Sequence, residues 1–178
     1  SVQDNSSIDA LPTYQQIRAE GGLTARLNVW RPASAVKSLI AAGVRSGLGD
    51  DWIRIGAIKV LSDGSMGAGT AAFFEPYTDE PTTSGLLLYP VEELNKIIDE
   101  ADAAGFQLAV HAIGDRANAL VLDAFEKTAK ARARNDRRFR VEHSQVVRRA
   151  DLSRYAALRV VASIQPSHCI DDMRWAPK

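Results

Sequence analysis

The chain has 178 residues, 46% hydrophobic and 25% charged, and its 22 basic and 22 acidic residues cancel to a formal net charge of zero. That size suits one globular domain over residues 1–178, or a piece of a larger one, and the balanced charge argues against a nucleic-acid or membrane-surface role. No apolar run nears the ~20 residues of a membrane span, and the single Cys169 rules out an internal disulfide.

The compartment stays open, with the cytoplasm slightly favoured. Ser1-Val2-Gln3-Asp4 has no initiator Met and reads like the tail of a strand, so targeting signals are open to loss.

In chain order, Ile8, Leu11, Tyr14 and Ile17 predict a helix over 8–20, stopped at Gly21-Gly22. Leu23 to Trp30 reads as a strand broken by Arg31-Pro32. Ala33 to Ala42 reads as a short helix closed by Gly43, and Trp52 to Leu61 as the next strand. Asp63 to Tyr89, rich in Gly, Pro and Thr, reads as a long loop, and loops of that length are more often functional than accidental. Val91 to Ala104 is a clear helix: Pro90 opens it, Glu92 and Glu93 suit its positive end, and Gly105 stops it. Leu94, Ile97, Ile98 and Ala101 make its apolar stripe.

Phe106 to His111 reads as a strand buried on both faces, because polar alternation is lost. A second clear helix starts near Ala117, with Asp115 as its expected cap. Arg138 to Val147 reads as a strand, Asp151 to Leu158 as a helix and Arg159 to Gln165 as a strand. Ser167 to Lys178 reads as a loop. Strict alternation predicts parallel strands with helical crossovers, either a doubly wound sheet or a (β/α)₈ barrel. A complete barrel needs roughly 250 residues, so a barrel reading requires missing parts at both ends.

Four strands end on Lys59, His111, His143 and Gln165, and chemistry in parallel α/β folds collects at the carboxyl ends of strands. A lysine inside a buried strand is costly unless it is paired, modified or liganded, with Asp63 as one partner in reach. His111 and His143, on consecutive strands and 32 residues apart, read as metal ligands or as an acid/base pair. His168 is either an exposed loop histidine or a substrate contact. Asp63 is either a loop acid or a substrate contact, and Asp171 and Asp172 read as solvated loop acids.

Two tempting motifs fail. Gly67-Ala68-Gly69-Thr70-Ala71-Ala72 has the letters of a dinucleotide-binding turn, but Phe-Phe-Glu-Pro follows and not a helix. The run from Lys127 to Arg140 holds seven basic residues and Asp136, with Phe139 as its one aromatic, too little to favour nucleic acid. It reads as the solvated end of a helix.

Taken together, Ile58-Lys59-Val60-Leu61-Ser62-Asp63-Gly64-Ser65, Pro76-Tyr77-Thr78-Asp79, His111-Ala112-Ile113-Gly114-Asp115-Arg116-Ala117, Glu142-His143-Ser144-Gln145 and Ser163-Ile164-Gln165-Pro166-Ser167-His168 resemble the amidohydrolase superfamily. The nearest branch is the amidohydrolase-3 type, which includes N-substituted formamide deformylase-like proteins. The resemblance implies an α/β fold, a partial (β/α)₈ TIM barrel of parallel strands with outer helices, holding about strands two to seven. It implies one or two divalent metals, usually zinc, and a metal-activated water that hydrolyses an amide-like C–N bond of a small molecule. Lys59, His111 and His143 match the metal-ligand positions, with the lysine typically carboxylated. Asp63, Gln145, Gln165 and His168 are the expected pocket-lining, substrate-binding residues.

The family's His-x-His and its general-base aspartate are absent here and are expected before Ser1 and after Lys178, so no catalytic residue is expected within the chain. Ala68 or Gly69 stands where the family usually has an arginine. By itself the chain is expected to bind metal weakly or not at all, to keep Lys59 unmodified, to lack hydrolase activity, and to self-associate through open sheet edges. The alternative is a non-catalytic α/β binding or scaffold domain that keeps the fold without the chemistry.

Overall fold

The computed structural model describes residues 2–5, 10–134 and 136–174, so Ser1 and Ile8, both used above, lie outside the described residues. The chain divides into two compact units, Ser1–Val60 with Glu100–Leu108, and Leu61–Asp99 with Ala109–Lys178.

The first unit carries β1 (Val2–Asp4), α1 (Ala10–Ala19), β2 (Leu27–Pro32), α2 (Val36–Ala41) and all but the last residue of β3 (Ile53–Leu61). β1 pairs with β2 and β2 with β3, both parallel, so the βαβ reading of this segment holds. β2 begins four residues later than the sequence suggests, and it runs through Arg31-Pro32 instead of breaking there. A register irregularity between Val29 and Arg31 accommodates the change. Pro32 takes the last strand position with φ −66° and ψ 155°, an extended conformation its ring permits.

β3 starts at an aspartate turn. The Asp50 carboxylate accepts N–H bonds from Trp52 at 2.7 Å and Ile53 at 2.9 Å. Leu27, Val29, Ile55, Ala57 and Ile58 are buried, which is the two-sided burial expected of parallel strands.

The second unit carries the long loop, α4 (Asp115–Ala131), β5 (Arg140–His143), α5 (Leu152–Ala157), β6 (Val161–Ser163) and α6 (His168–Asp171). It also holds most of α3 (Val91–Ala103) and of β4 (Gln107–Ala112). β4, β5 and β6 are parallel neighbours in chain order. Leu94 and Ile98 on α3 are buried as the stripe requires, each worth about 1.5–3 kcal/mol when fully covered. Gly105 ends that segment at φ +88°, a left-handed conformation that favours glycine. On the core side of α4, Val121, Leu122 and Phe125 are buried, and Phe125 stacks on Phe139 with ring centroids 4.4 Å apart. Among the described residues no helix is long and apolar enough to cross a membrane.

Three boundaries correct the sequence reading. β5 ends at His143 and not at Val147, because His143 (φ 75°) and Ser144 (φ 46°) turn the chain out of the strand. Its start moves from Arg138 to Arg140 because Arg138 is also left-handed, at φ 49°. β6 shrinks to Val161–Ser163, with Arg159 at φ 54° before it. The tail is not all loop, since α6 and a 3-10 turn at Asp172–Arg174 follow Pro166. Asp115 is the first residue of α4 and not its cap, a place taken by Gly114. The Asp115 carboxylate instead accepts the Phe74 N–H at 3.1 Å and so ties the long loop to α4.

An ion-pair cluster fixes the connection between β5 and α5. Asp151, whose side chain is only 3% exposed, meets Arg148 at 2.7 Å and Arg154 at 3.0 Å. Arg154 also reaches Asp123 on α4 at 2.6 Å, and Arg148 lies 4.3 Å over the Phe74 ring. Burial alone would raise the Asp151 pKa, but its bonds to the two guanidinium groups outweigh that and hold it below the ordinary aspartate value. A depressed native value means the pair stabilises the fold above the unfolded pKa of about 3.9, and that the contribution is lost as pH falls through the native value. Asp151→Asn is therefore expected to cost about 1.5–3 kcal/mol at pH 7. The gap from wild type should narrow as pH falls below the unfolded aspartate value and close once the native carboxyl is protonated, as read by urea midpoints across pH. A gap that stays constant with pH would contradict this assignment.

Candidate metal centre

The second unit gathers its polar side chains where β4, β5 and β6 end. Asp63, just past β3, is the organiser. Its side chain is fully buried, and its two oxygens accept three backbone N–H groups: Ile113 at 3.0 Å, Gly114 at 2.9 Å and Ala72 at 2.9 Å. The long loop is thereby pinned to the turn that follows His111. The approach is close enough that a Cβ on Gly114 would lie 2.0 Å from the Ala72 carbonyl oxygen, so only glycine fits there. Ser62 donates its N–H, at 3.0 Å, and its hydroxyl to the His111 carbonyl, which fixes the backbone of that residue.

The His111 ring presents Nε2 to the Gly64 carbonyl oxygen at 2.8 Å, with Asp63 Oδ1 at 3.4 Å. A carbonyl can only accept, so Nε2 donates to it, and it is the neutral ring in this tautomer that carries a lone pair on Nδ1. His143 is arranged the other way round. Its Nδ1 is 2.7 Å from Gln165 Oε1, and the Gln165 amide is oriented by its own N–H bond to the Ser163 carbonyl at 3.3 Å. Nδ1 therefore donates, and it is the neutral ring in this tautomer that carries a lone pair on Nε2. The two rings meet edge to face with centroids 4.7 Å apart, and His168 stacks on His143 at 5.5 Å.

An imidazole with one nitrogen hydrogen-bonded to an oxygen and the other bearing a lone pair is the state in which histidine binds a divalent metal. The donor set thus fits such an ion at two ligands. Among the described residues no group of three or more His, Cys, Asp or Glu is placed to hold a metal.

The candidate residues fall into three places. His143, Gln145, Gln165 and His168 line one cavity of about 390 Å³. Gln145 donates from Nε2 to the carboxylate of Asp172, so that acid is part of the cavity wall and not only a solvated loop acid. Asp63 faces the backbone behind His111, away from solvent. Lys59 belongs to the first unit, where it is buried on β3 with 9% exposure.

Three residues escaped the sequence reading. The His143–Ser144 turn holds two consecutive non-glycine residues in the left-handed region, a conformation that costs on the order of 1–3 kcal/mol per residue. Ser144 Oγ donates to the Val141 carbonyl at 3.1 Å, and Tyr155 Oη lies 3.1 Å from Ser144 Oγ and 2.8 Å from Asn118 Oδ1. Asn118 is fully buried, and its Nδ2 reaches the Gly114 carbonyl at 2.9 Å and the Val146 carbonyl at 3.1 Å. One signal for Asn118 was available. It stands three, four and seven residues before Val121, Leu122 and Phe125, a polar residue in the apolar stripe of α4.

Parallel strands in chain order with helical crossovers, and polar side chains collected at their carboxyl ends, define a (β/α)-barrel architecture. The Amidohydrolase family pattern matches residues 1–177, and the chain belongs to that family. Protein LONG AFTER FAR-RED 3 of Arabidopsis thaliana is 43% identical over 122 residues, covering 68% of this chain and 21% of its own length. YtcJ of Bacillus subtilis (strain 168) is 36% identical over 128 residues, covering 72% of this chain and 24% of its own. A crystal structure of an uncharacterized metal-dependent hydrolase from Pyrococcus horikoshii OT3 superposes with a TM-score of 0.85 at 35% identity. That match covers 97% of this chain and 34% of the other, and the fold is a partial (β/α)₈ barrel. The chain spans about a quarter or less of the curated relatives and about a third of the solved structure.

Proposed function

We propose that the protein carrying this chain is a metal-dependent hydrolase that cleaves an amide-like C–N bond in a small molecule, with His111 and His143 as metal ligands. The observation that carries this reading is the pair of imidazoles 4.7 Å apart, each with one nitrogen committed to an oxygen acceptor. Family membership and the metal-dependent hydrolase among the solved structures support it. Zinc is the proposed ion, because imidazole suits it. A bound divalent ion supplies a Lewis acid that polarises a carbonyl and acidifies water.

The chain's own residues hold and orient. Gly64 and Asp63 fix the His111 ring, and Gln165 fixes the His143 ring. Gln145 and His168 offer polar groups to a substrate in the adjoining cavity. Lys59 is proposed as a ligand only once carboxylated, which replaces a buried ammonium with anionic oxygens.

Metal analysis of the purified protein, with a panel of small amides, tests the reading. The expected result is bound divalent metal, hydrolysis lost on chelation, and recovery with added zinc. Hydrolysis unaffected by complete metal removal, or absence of both metal and hydrolysis, would overturn it.

A further inference from the structure

The two histidines sit on different strands, yet one buried network joins the backbone behind them. Asn118 Nδ2 bonds to the Gly114 carbonyl, three residues past His111, and to the Val146 carbonyl, three residues past His143. The Val146 N–H donates to the Ile113 carbonyl at 2.9 Å, closing the same link through the backbone. Tyr155 on α5 completes it by meeting Asn118 Oδ1 and Ser144 Oγ with a single hydroxyl. Burial, with a smaller contribution from the charge of Asp151, raises the Tyr155 pKa against the opposing Ser144 bond, so the phenol keeps its proton. What this hydroxyl touches is the left-handed turn at His143 and Ser144, which is unfavourable for both residue types and needs something to hold it.

We propose that Tyr155, acting through Ser144 and Asn118, is a positioning residue that holds the His143–Ser144 turn and so sets the direction of the His143 imidazole relative to His111. The proposal rests on the metal-site reading above for its functional meaning. Tyr155 touches neither ring and is not itself a ligand.

Tyr155→Phe removes one oxygen and keeps the ring. Cobalt(II) affinity, measured by competition titration with the visible ligand-field band as a second readout, is expected to fall 10- to 100-fold, as for partners that orient metal-binding histidines. Glycine adopts φ > 0 without strain, so in a Ser144→Gly background the turn no longer needs the hydroxyl. There the loss from Tyr155→Phe should shrink to about twofold or less. Wild-type cobalt affinity in Tyr155→Phe would overturn the proposal. An equal loss in both backgrounds would also overturn it, by marking a general structural role.

Should wild type bind no cobalt, the metal reading fails and the metal-free protein decides the positioning claim through the ¹⁵N shifts of His143. Loss of the Nδ1–H tautomer in Tyr155→Phe supports the proposal, and an unchanged tautomer overturns it.

Discussion

Asp63→Ala is expected to destabilise the protein by about 3–5 kcal/mol, the largest stability loss of any single change near the site. Three backbone N–H groups end on this one carboxylate, and the side chain has no exposure to water. Each buried N–H left without an acceptor costs roughly 1–3 kcal/mol, and a water entering the vacated space recovers part of that. Asp63→Asn keeps the shape but offers an NH₂ where an acceptor oxygen stood, so a loss of about 2 kcal/mol or more is expected. Asp79→Ala, on an exposed stretch of the same loop, serves as the control and should stay within about 0.5 kcal/mol. Urea denaturation measures all three. An Asp63→Ala variant within 1 kcal/mol of wild type would show that the three donors find other partners.

The same residue shows where sequence reasoning reaches and where it stops. Both histidines were legible, because a short apolar run that ends on a polar residue marks the end of a buried strand, and His111 and His143 do lie 4.7 Å apart. α3 and α4 were legible to within two residues, since apolar spacing shows a helix directly. Asp63 read as a pocket acid because nothing in Ser62-Asp63-Gly64 announces three backbone donors arriving from 9, 50 and 51 residues away.

The end of β5 was placed four residues late for a related reason. Ser144-Gln145-Val146-Val147 still reads as strand, and a left-handed turn at His143 and Ser144 uses none of the Gly, Asn or Asp that usually signal one. Besides a local bond to Val141, that conformation is held by bonds to Tyr155 and Gln165, 11 and 22 residues away, and no local rule contains those two. Gln165 was expected to line the pocket. It borders the cavity beside His143 and His168 and is the partner of the His143 ring, a role its neighbours in sequence could not show.

The largest functional effects should follow from the two rings and from Gln165. In the protein as proposed, His111→Ala or His143→Ala removes a metal ligand. Metal content should fall to near background, and hydrolysis by about 10³-fold, taking the ion's several kcal/mol at 1.36 kcal/mol per decade. Gln165 is the more informative position because it touches the ring and not the ion. Gln165→Leu takes away the acceptor for His143 Nδ1–H, freeing the ring to turn and the tautomer to change, and metal affinity should drop about 10- to 100-fold. Gln165→Glu restores an acceptor of similar length, and an anionic one raises the basicity of the imidazole, so affinity should return to wild type or exceed it. Competition titration with zinc across the three Gln165 forms checks this ordering. If leucine and glutamate behave alike, the Gln165 oxygen does not orient His143, and the tautomer assigned to that ring is wrong.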